Sequence, residues 1–252
     1  MARPPLRVSR HSFRHRAAFG TAVSRAILVR VAAGQLPATL RLHRPGPILA
    51  FSRQDAASRG YPQAVQAARE AGFEPVLRLV GGRAAVYHDL TIACSWAVPD
   101  RSPAARTEAR FLELAELLAA ALRELGADAR VGEVPGEYCP GAWSVNADGR
   151  RKLVGIGQRL IAGGAHRGAV IVVGGADRIR DVLGPVYRAL DLDWDPATVG
   201  SVEDEVGAVG LTRVEEAILS QLSRRYELIV AEPDHETLEL AARFEPHHMV
   251  SP

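Results

Sequence analysis

From Phe111 onward, apolar side chains recur at intervals of three and four: Leu114, Leu117, Leu118, Ala121, Leu122 and Leu125 follow. That spacing predicts a helix over Pro103–Leu125 with one buried stripe, Ser102 as its cap, Pro103 in its first turn and Gly126 at its end. Mixed helical spacing predicts a second helix over residues 17–33, ending at Gly34, and a third over Tyr61–Ala71, stopped by Gly72. Leu183–Leu190, Leu211–Arg225 and a short segment after Pro233 complete the predicted helices. Short β-prone runs predict strands at Leu40–Leu42, Ile48–Phe51, Pro75–Val80, Val86–Val98 and Ala169–Val173. A turn at Asp148-Gly149 joins Ala142–Asn146 to Lys152–Gln158 as a hairpin. Strands and helices alternate only loosely, and several neighbouring strands are linked by tight turns. The expected fold is therefore α+β, a mixed, largely antiparallel sheet flanked by helices. Residues 17–252 read as a single domain, with residues 1–16 a basic tail outside it.

Composition narrows the class. The chain has 252 residues, 47% hydrophobic and 24% charged, which is ordinary for a globular core. No apolar run approaches the roughly 18 residues of a membrane span. Two cysteines exclude a disulfide framework and a cysteine zinc site, and they suit a reducing cytoplasm. The eight histidines are scattered and His247-His248 lacks ligand spacing, so no metal site is expected.

Charge is uneven. Residues 1–54 hold ten Arg and no acid, whereas residues 55–252 hold 21 basic and 29 acidic side chains. Such an opening suits an organelle transit segment, a nucleic-acid arm or a docking surface for an acidic protein. Thirty of the 31 basic residues are Arg, and the one Lys is Lys152. Arg cannot replace an amine that must lose its proton or fit as a compact point donor, which singles Lys152 out.

Two segments carry candidate chemistry. Cys139 lies among turn formers in Gly136-Glu137-Tyr138-Cys139-Pro140-Gly141, where a nucleophile can be reached. Cys94, in an apolar strand-like run, reads as core packing. Lys152 stands thirteen residues after Cys139, and the hairpin returns it toward the cysteine loop. A cation there lowers a thiol pKa and can stabilise a developing oxyanion. The second segment runs from Arg78 through Gly81-Gly82-Arg83 to His88-Asp89, between predicted strands. Lying between strands, it is no Rossmann or P-loop phosphate cradle; paired glycines there permit close approach of a backbone or ligand. His88 and Asp89 are adjacent strand residues that point to opposite faces, which argues against a dyad.

Together these segments resemble a known family. Arg78…Gly81-Gly82-Arg83-Ala84-Ala85-Val86-Tyr87-His88-Asp89 is similar to the arginine and glycine-rich signature of lipoate–protein ligases and octanoyltransferases. Lys152-Leu153-Val154-Gly155-Ile156-Gly157-Gln158-Arg159 is similar to the second signature, and Tyr138-Cys139-Pro140-Gly141 resembles the cysteine-dependent branch. Leu77 and Val80 stand where the family often has a second Arg and a Ser or Thr. The resemblance runs from about Leu40 to Val206 and implies the α+β catalytic domain shared with biotin ligases. It implies an acyltransferase in which Cys139 takes an octanoyl or lipoyl group from a carrier as a thioester, with Lys152 holding the acyl carbonyl. Substrate-binding positions carried over are Arg78, Gly81, Gly82, Arg83, His88, Gly155 and Gln158. Expected donors are acyl carrier protein or the glycine-cleavage H protein, and expected acceptors are lipoyl domains or H protein, with no membrane or nucleic-acid partner. A transferase of this kind requires no cofactor. Two alternatives stay open: an ATP- and Mg-dependent lipoate ligase, and a non-catalytic lipoyl-binding protein.

Overall fold

Buried apolar stripes alternate with turn-forming glycines to divide the chain, described by a computed structural model over residues 3–251. The first half contains β1 (Pro5–Ser9), α1 (Ala17–Ala32), β2 (Thr39–His43), β3 (Ile48–Phe51), α2 (Arg53–Ala56), α3 (Tyr61–Glu70), β4 (Glu74–Leu77), β5 (Ala85–Tyr87), β6 (Thr91–Pro99) and α4 (Thr107–Glu124). The second contains β7 (Ala129–Val131), β8 (Val145–Ala147), β9 (Arg151–Ile161), β10 (Gly164–Val172), α5 (Ala176–Ala189), α6 (Val202–Val206), α7 (Leu211–Ser223), β11 (Glu227–Val230) and α8 (His235–Phe244).

Eight strands form one sheet in the order β11-β1-β2-β6-β10-β9-β8-β7. Only β1 pairs in parallel, with both β2 and β11; the remaining pairs are antiparallel. A three-stranded sheet, β4-β3-β5, lies apart from it. The mixed, largely antiparallel sheet expected from the sequence is therefore present.

The α4 stripe of Leu114, Leu117, Leu118, Ala121 and Leu122 is buried with Val214 and Ile218 of α7 against Leu40, Leu42, Ile92 and Trp96 of the large sheet. Full burial of each such side chain is worth about 1.5–3 kcal/mol, so this layer anchors the sheet. A second core joins the small sheet to α3 and α5 through Phe51, Val65, Leu183 and Val186. The opposite face of the large sheet is covered by α1 and the small sheet, and the candidate site opens between them. Among the described residues no helix is long and apolar enough to cross a membrane.

Several elements differ from the sequence expectation. Pro103–Arg106 is a separate 3-10 turn, Ser102 makes no capping hydrogen bond, and α4 starts only at Thr107. The predicted strand Val86–Val98 is cut in two because His88 and Thr91 close a turn. The His88 N–H donates to Thr91 Oγ1 at 3.0 Å, and that hydroxyl donates to His88 O at 2.9 Å. Leu40–Leu42 and Ile48–Phe51 do form strands, but in different sheets. Within the segment read as a tail, Pro5–Ser9 is β1, with Leu6 and Val8 buried in the core.

Candidate active site

Cys139 lies in the irregular loop between β7 and β8, with φ of 44°, a left-handed conformation that costs a non-glycine residue about 1–2 kcal/mol. Both of its backbone groups are held. Its N–H donates to Tyr187 Oη at 2.9 Å, and its carbonyl accepts from Lys152 Nζ at 2.8 Å. Tyr187 in turn donates to Ala84 O at 3.0 Å, tying α5 to the cysteine and to the strand after the glycine loop.

Lys152, near the start of β9, is 1% exposed. Its three donors are spent on Glu137 Oε1 at 2.9 Å, Tyr138 O at 3.0 Å and Cys139 O at 2.8 Å. Glu137 is equally occupied, accepting from Ser144 Oγ, Gly141 N–H and Val134 N–H as well. A buried ion pair is tolerated when every lone pair and proton is satisfied, and this one is. Gly155 leaves the amine its room: a Cβ there would lie 3.3 Å from Lys152 Cε.

The thiol meets the glycine loop. Sγ accepts from the Arg83 N–H at 3.1 Å and stands 3.6 Å from Arg78 Nη1, which also donates to Arg83 O at 2.6 Å. Burial pushes the Cys139 thiol up, but the charges of Arg78 and Lys152 and the hydrogen bonds from Arg83 and Arg78 outweigh it. The net effect holds the thiol below its ordinary value. Cys94 is the opposite case, pushed up to about 12 by burial. A thiolate so stabilised is a nucleophile.

The thiol opens onto a pocket whose wall includes Lys152, Arg78, Gly155 and Val80. Beyond it lies a larger chamber, bounded by Gly20 of α1, Ile48 and Ala50 of β3, Val76 of β4 and Ala93 of β6. The two share Arg78, Val80, Tyr87 and Gly168. Val80 seats against bare backbone: a Cβ at Gly157 would come within 2.8 Å of its Cγ2. The arrangement suits a nucleophile beside a pocket for an extended apolar chain.

The structure thus brings together Cys139, Lys152, Arg78, Gly82 and Gly155, and from Arg83 the backbone N–H. The Arg83 side chain points instead to Asp55, 3.5 Å away. Gly81 sits exposed at the top of the loop. Two expected positions lie elsewhere. His88 is buried in the β5–β6 turn, where a Cβ on Gly175 would touch its ring, and it lines neither cavity. Gln158 projects to the other face of β9, accepting from Arg110 at 3.1 Å and donating to Thr107 O at 2.8 Å, so it staples β9 to α4. Sequence reasoning missed Glu137 and Tyr187. A carboxylate two residues before the cysteine in a Gly/Pro-rich loop was the available signal for the first; the second comes from a distant helix and left none.

Comparison with known proteins bears on the family and the fold. The family model described as the lipoyl protein ligase A/B catalytic domain matches residues 16–223. The chain is 28% identical over 162 residues to an octanoyl-[GcvH]:protein N-octanoyltransferase of Geobacillus kaustophilus, covering 64% of this chain and 57% of that protein. A protein of the same name from an Exiguobacterium species is 28% identical over 164 residues, covering 61% and 58%. These matches span little more than half the length of the relatives. Among solved structures, lipoate-protein ligase A bound with ATP superposes with a TM-score of 0.76 at 17% identity, over 96% of this chain and 94% of that one. A bi-partite lipoate protein ligase from Thermoplasma acidophilum gives 0.74 at 17% identity, over 96% and 92%. At such identity the structural likeness establishes the fold.

Proposed function

Because the chain belongs to the lipoyl protein ligase A/B catalytic-domain family, we propose that it is a cysteine acyltransferase of protein lipoylation, moving an octanoyl group between carrier and acceptor proteins. The observation that carries this reading is the Cys139 thiol, held below its ordinary value by Arg78 and Lys152 at the mouth of an apolar chamber. In the first half-reaction the thiolate attacks the carbonyl of the carrier-bound octanoyl group. The bond to the carrier breaks, its thiol or amine leaves with a proton, and a thioester forms on Sγ. In the second, a lysine amine of a lipoyl domain or H protein attacks that thioester and releases the Cys139 thiol.

Arg78 and the Arg83 N–H stabilise the thiolate before attack and again as leaving group. Lys152 supplies positive charge and fixes the cysteine carbonyl; to reach an acyl carbonyl it exchanges one of its two backbone acceptors. Gly82 keeps the approach to sulfur open. The chemistry needs no nucleotide, and the relatives' name, which places the octanoyl group on GcvH, supports H protein as donor.

The test is intact mass after incubation with octanoylated H protein in the absence of ATP. The wild-type protein gains one octanoyl group, Cys139→Ala gains none and loses transfer, and Cys94→Ala gains it while losing some stability to the cavity created. Full activity of Cys139→Ala, dependent on ATP and free lipoate, overturns the mechanism in favour of ligation.

A further inference from the structure

Eight of the ten arginines in the acid-free opening of the chain are engaged by ion pairs or hydrogen bonds within the fold. Arg7, Arg10, Arg14, Arg16, Arg30 and Arg44 pair with carboxylates that come later in the sequence, namely Asp89, Glu215, Asp234, Glu236 and Glu245. Arg41 is fully buried and donates to Gly20 O at 2.9 Å and Ser24 Oγ at 2.7 Å, and Arg3 donates to the Ser223 carbonyl. Two of the ten remain, Arg25 and Arg53, and both face one groove.

That groove lies between α1, α2 and the far end of β9. Arg159 joins Arg25 and Arg53 in its wall, with His247, His248 and Arg78, and no carboxylate lines it. Among the described residues these first three arginines form no ion pair and no side-chain hydrogen bond, and Arg25 is braced only over the Phe244 ring, 4.2 Å from its centroid. Burial first, then the charges of Arg159 and Arg53, hold the Arg25 guanidinium below its ordinary value. Like charges gathered without a counter-ion repel, and an arriving anion relieves that repulsion.

The layout selects the kind of anion. One common kind of compact phosphate site is built on converging backbone N–H groups. Here the donors are long side chains from three separate elements, and those of Arg53 and Arg159 are exposed. Such a spread matches several carboxylates on a protein surface. Its wall also adjoins the acyl site, since Arg78 lines both the groove and the cavity holding Cys139.

We propose that the Arg25–Arg53–Arg159 groove docks an acidic patch on the protein that brings the acyl group, an inference that rests on the acyl-transfer reading above. Docking of this type raises the encounter rate, and salt weakens it as the Debye length shortens to about 8 Å at physiological ionic strength.

The experiment compares two donors, octanoylated H protein and the uncharged octanoyl thioester of N-acetylcysteamine, by the second-order rate of Cys139 acylation. In the triple variant Arg25→Gln, Arg53→Gln, Arg159→Gln the rate with H protein falls about tenfold and its salt dependence flattens, while the rate with the small thioester stays within about twofold. Equal loss with both donors, or loss with neither, overturns the proposal. The pair Arg53→Glu, Arg159→Glu, confined to exposed positions, gives the same reading should Arg25→Gln disturb α1. If wild-type protein is acylated by neither donor, the transfer reading fails by itself. The groove is then judged by calorimetric titration of H protein into Cys139→Ala protein, where the triple change must weaken binding about tenfold and absent or unaltered binding overturns it. Inorganic phosphate that binds wild-type protein at submillimolar concentration, and the triple variant not at all, makes the groove a phosphate site and also overturns the docking proposal.

Discussion

Lys152 and Cys139 were legible as a pair in the sequence because composition and local turns single them out. One lysine survives among thirty arginines, and a hairpin with an Asp-Gly turn brings it back to a Gly/Pro-rich loop. What the sequence did not disclose is that the amine is saturated by Glu137 and two carbonyls, because that partnership depends on the folded loop. Replacing Lys152 by Arg keeps the charge but inserts a larger, planar group where Gly155 leaves space for a slender one. Overpacking of this kind costs about 1–3 kcal/mol. The three-donor fork that sets the Cys139 carbonyl is lost with it, so acyl transfer falls at least about a hundredfold. Single-turnover acylation checks this, with circular dichroism confirming a folded variant; retention of more than about a tenth of the wild-type rate removes the specific role of the amine.

At the scale of elements, the glycine loop between β4 and β5 meets the thiol through Gly82. Gly82 has φ of 106°, and a Cβ there would lie 2.8 Å from Cys139 Sγ and 3.3 Å from Arg78 Nη1. Gly82→Ala is therefore expected to strain the loop and separate the thiolate from its two donors. Transfer falls by at least about tenfold, and the pH midpoint of iodoacetamide alkylation at Cys139 moves upward, since the thiolate loses stabilisation. An unchanged midpoint with full activity argues that the loop does not act on the sulfur. Other elements were illegible for a physical reason. β1 carries only Leu6 and Val8 as apolar residues, and its partners are β2 and β11, the latter at the far end of the chain. Its one arginine, Arg7, reads as solvent-exposed because the carboxylate it pairs with, Asp234, lies equally far away. His88 and Gln158 matched a family signature, yet their side chains serve a turn and a strand-to-helix staple, roles that spacing alone does not distinguish from contact with substrate.

For the molecule as a whole, buried neutral histidines set the acid limit. Burial, then the Arg41 and Arg167 charges, lowers His166 to about 3; burial and Arg178 lower His88 to about 4; burial and Arg41 carry His43 well below its ordinary value. Each folded-state value lies under the unfolded one of about 6.5, so the unfolded chain binds more protons once the pH drops below that point. The stability these groups hold is complete above about pH 6.5 and is lost as pH falls toward 4, each contributing up to about 1.4 kcal/mol per pH unit. Thermal melts should show a steep fall in Tm between pH 6.5 and 5, before carboxylates titrate. A Tm flat across that window contradicts the assignment of neutral, buried imidazoles.

The burial of Lys152 reaches beyond its own chemistry. Under the acyl-transfer reading proposed above, the protein meets activated acyl groups that modify amines without enzymatic help, and its side chains offer them no lysine at the surface. Thirty guanidiniums supply the basic character instead, and these stay protonated and unreactive toward thioesters at neutral pH. The same property makes the side chains blind to amine-directed labels and lysine crosslinkers, so maps of contacts through them will have to be drawn through carboxylates, arginines or the partner's own lysines.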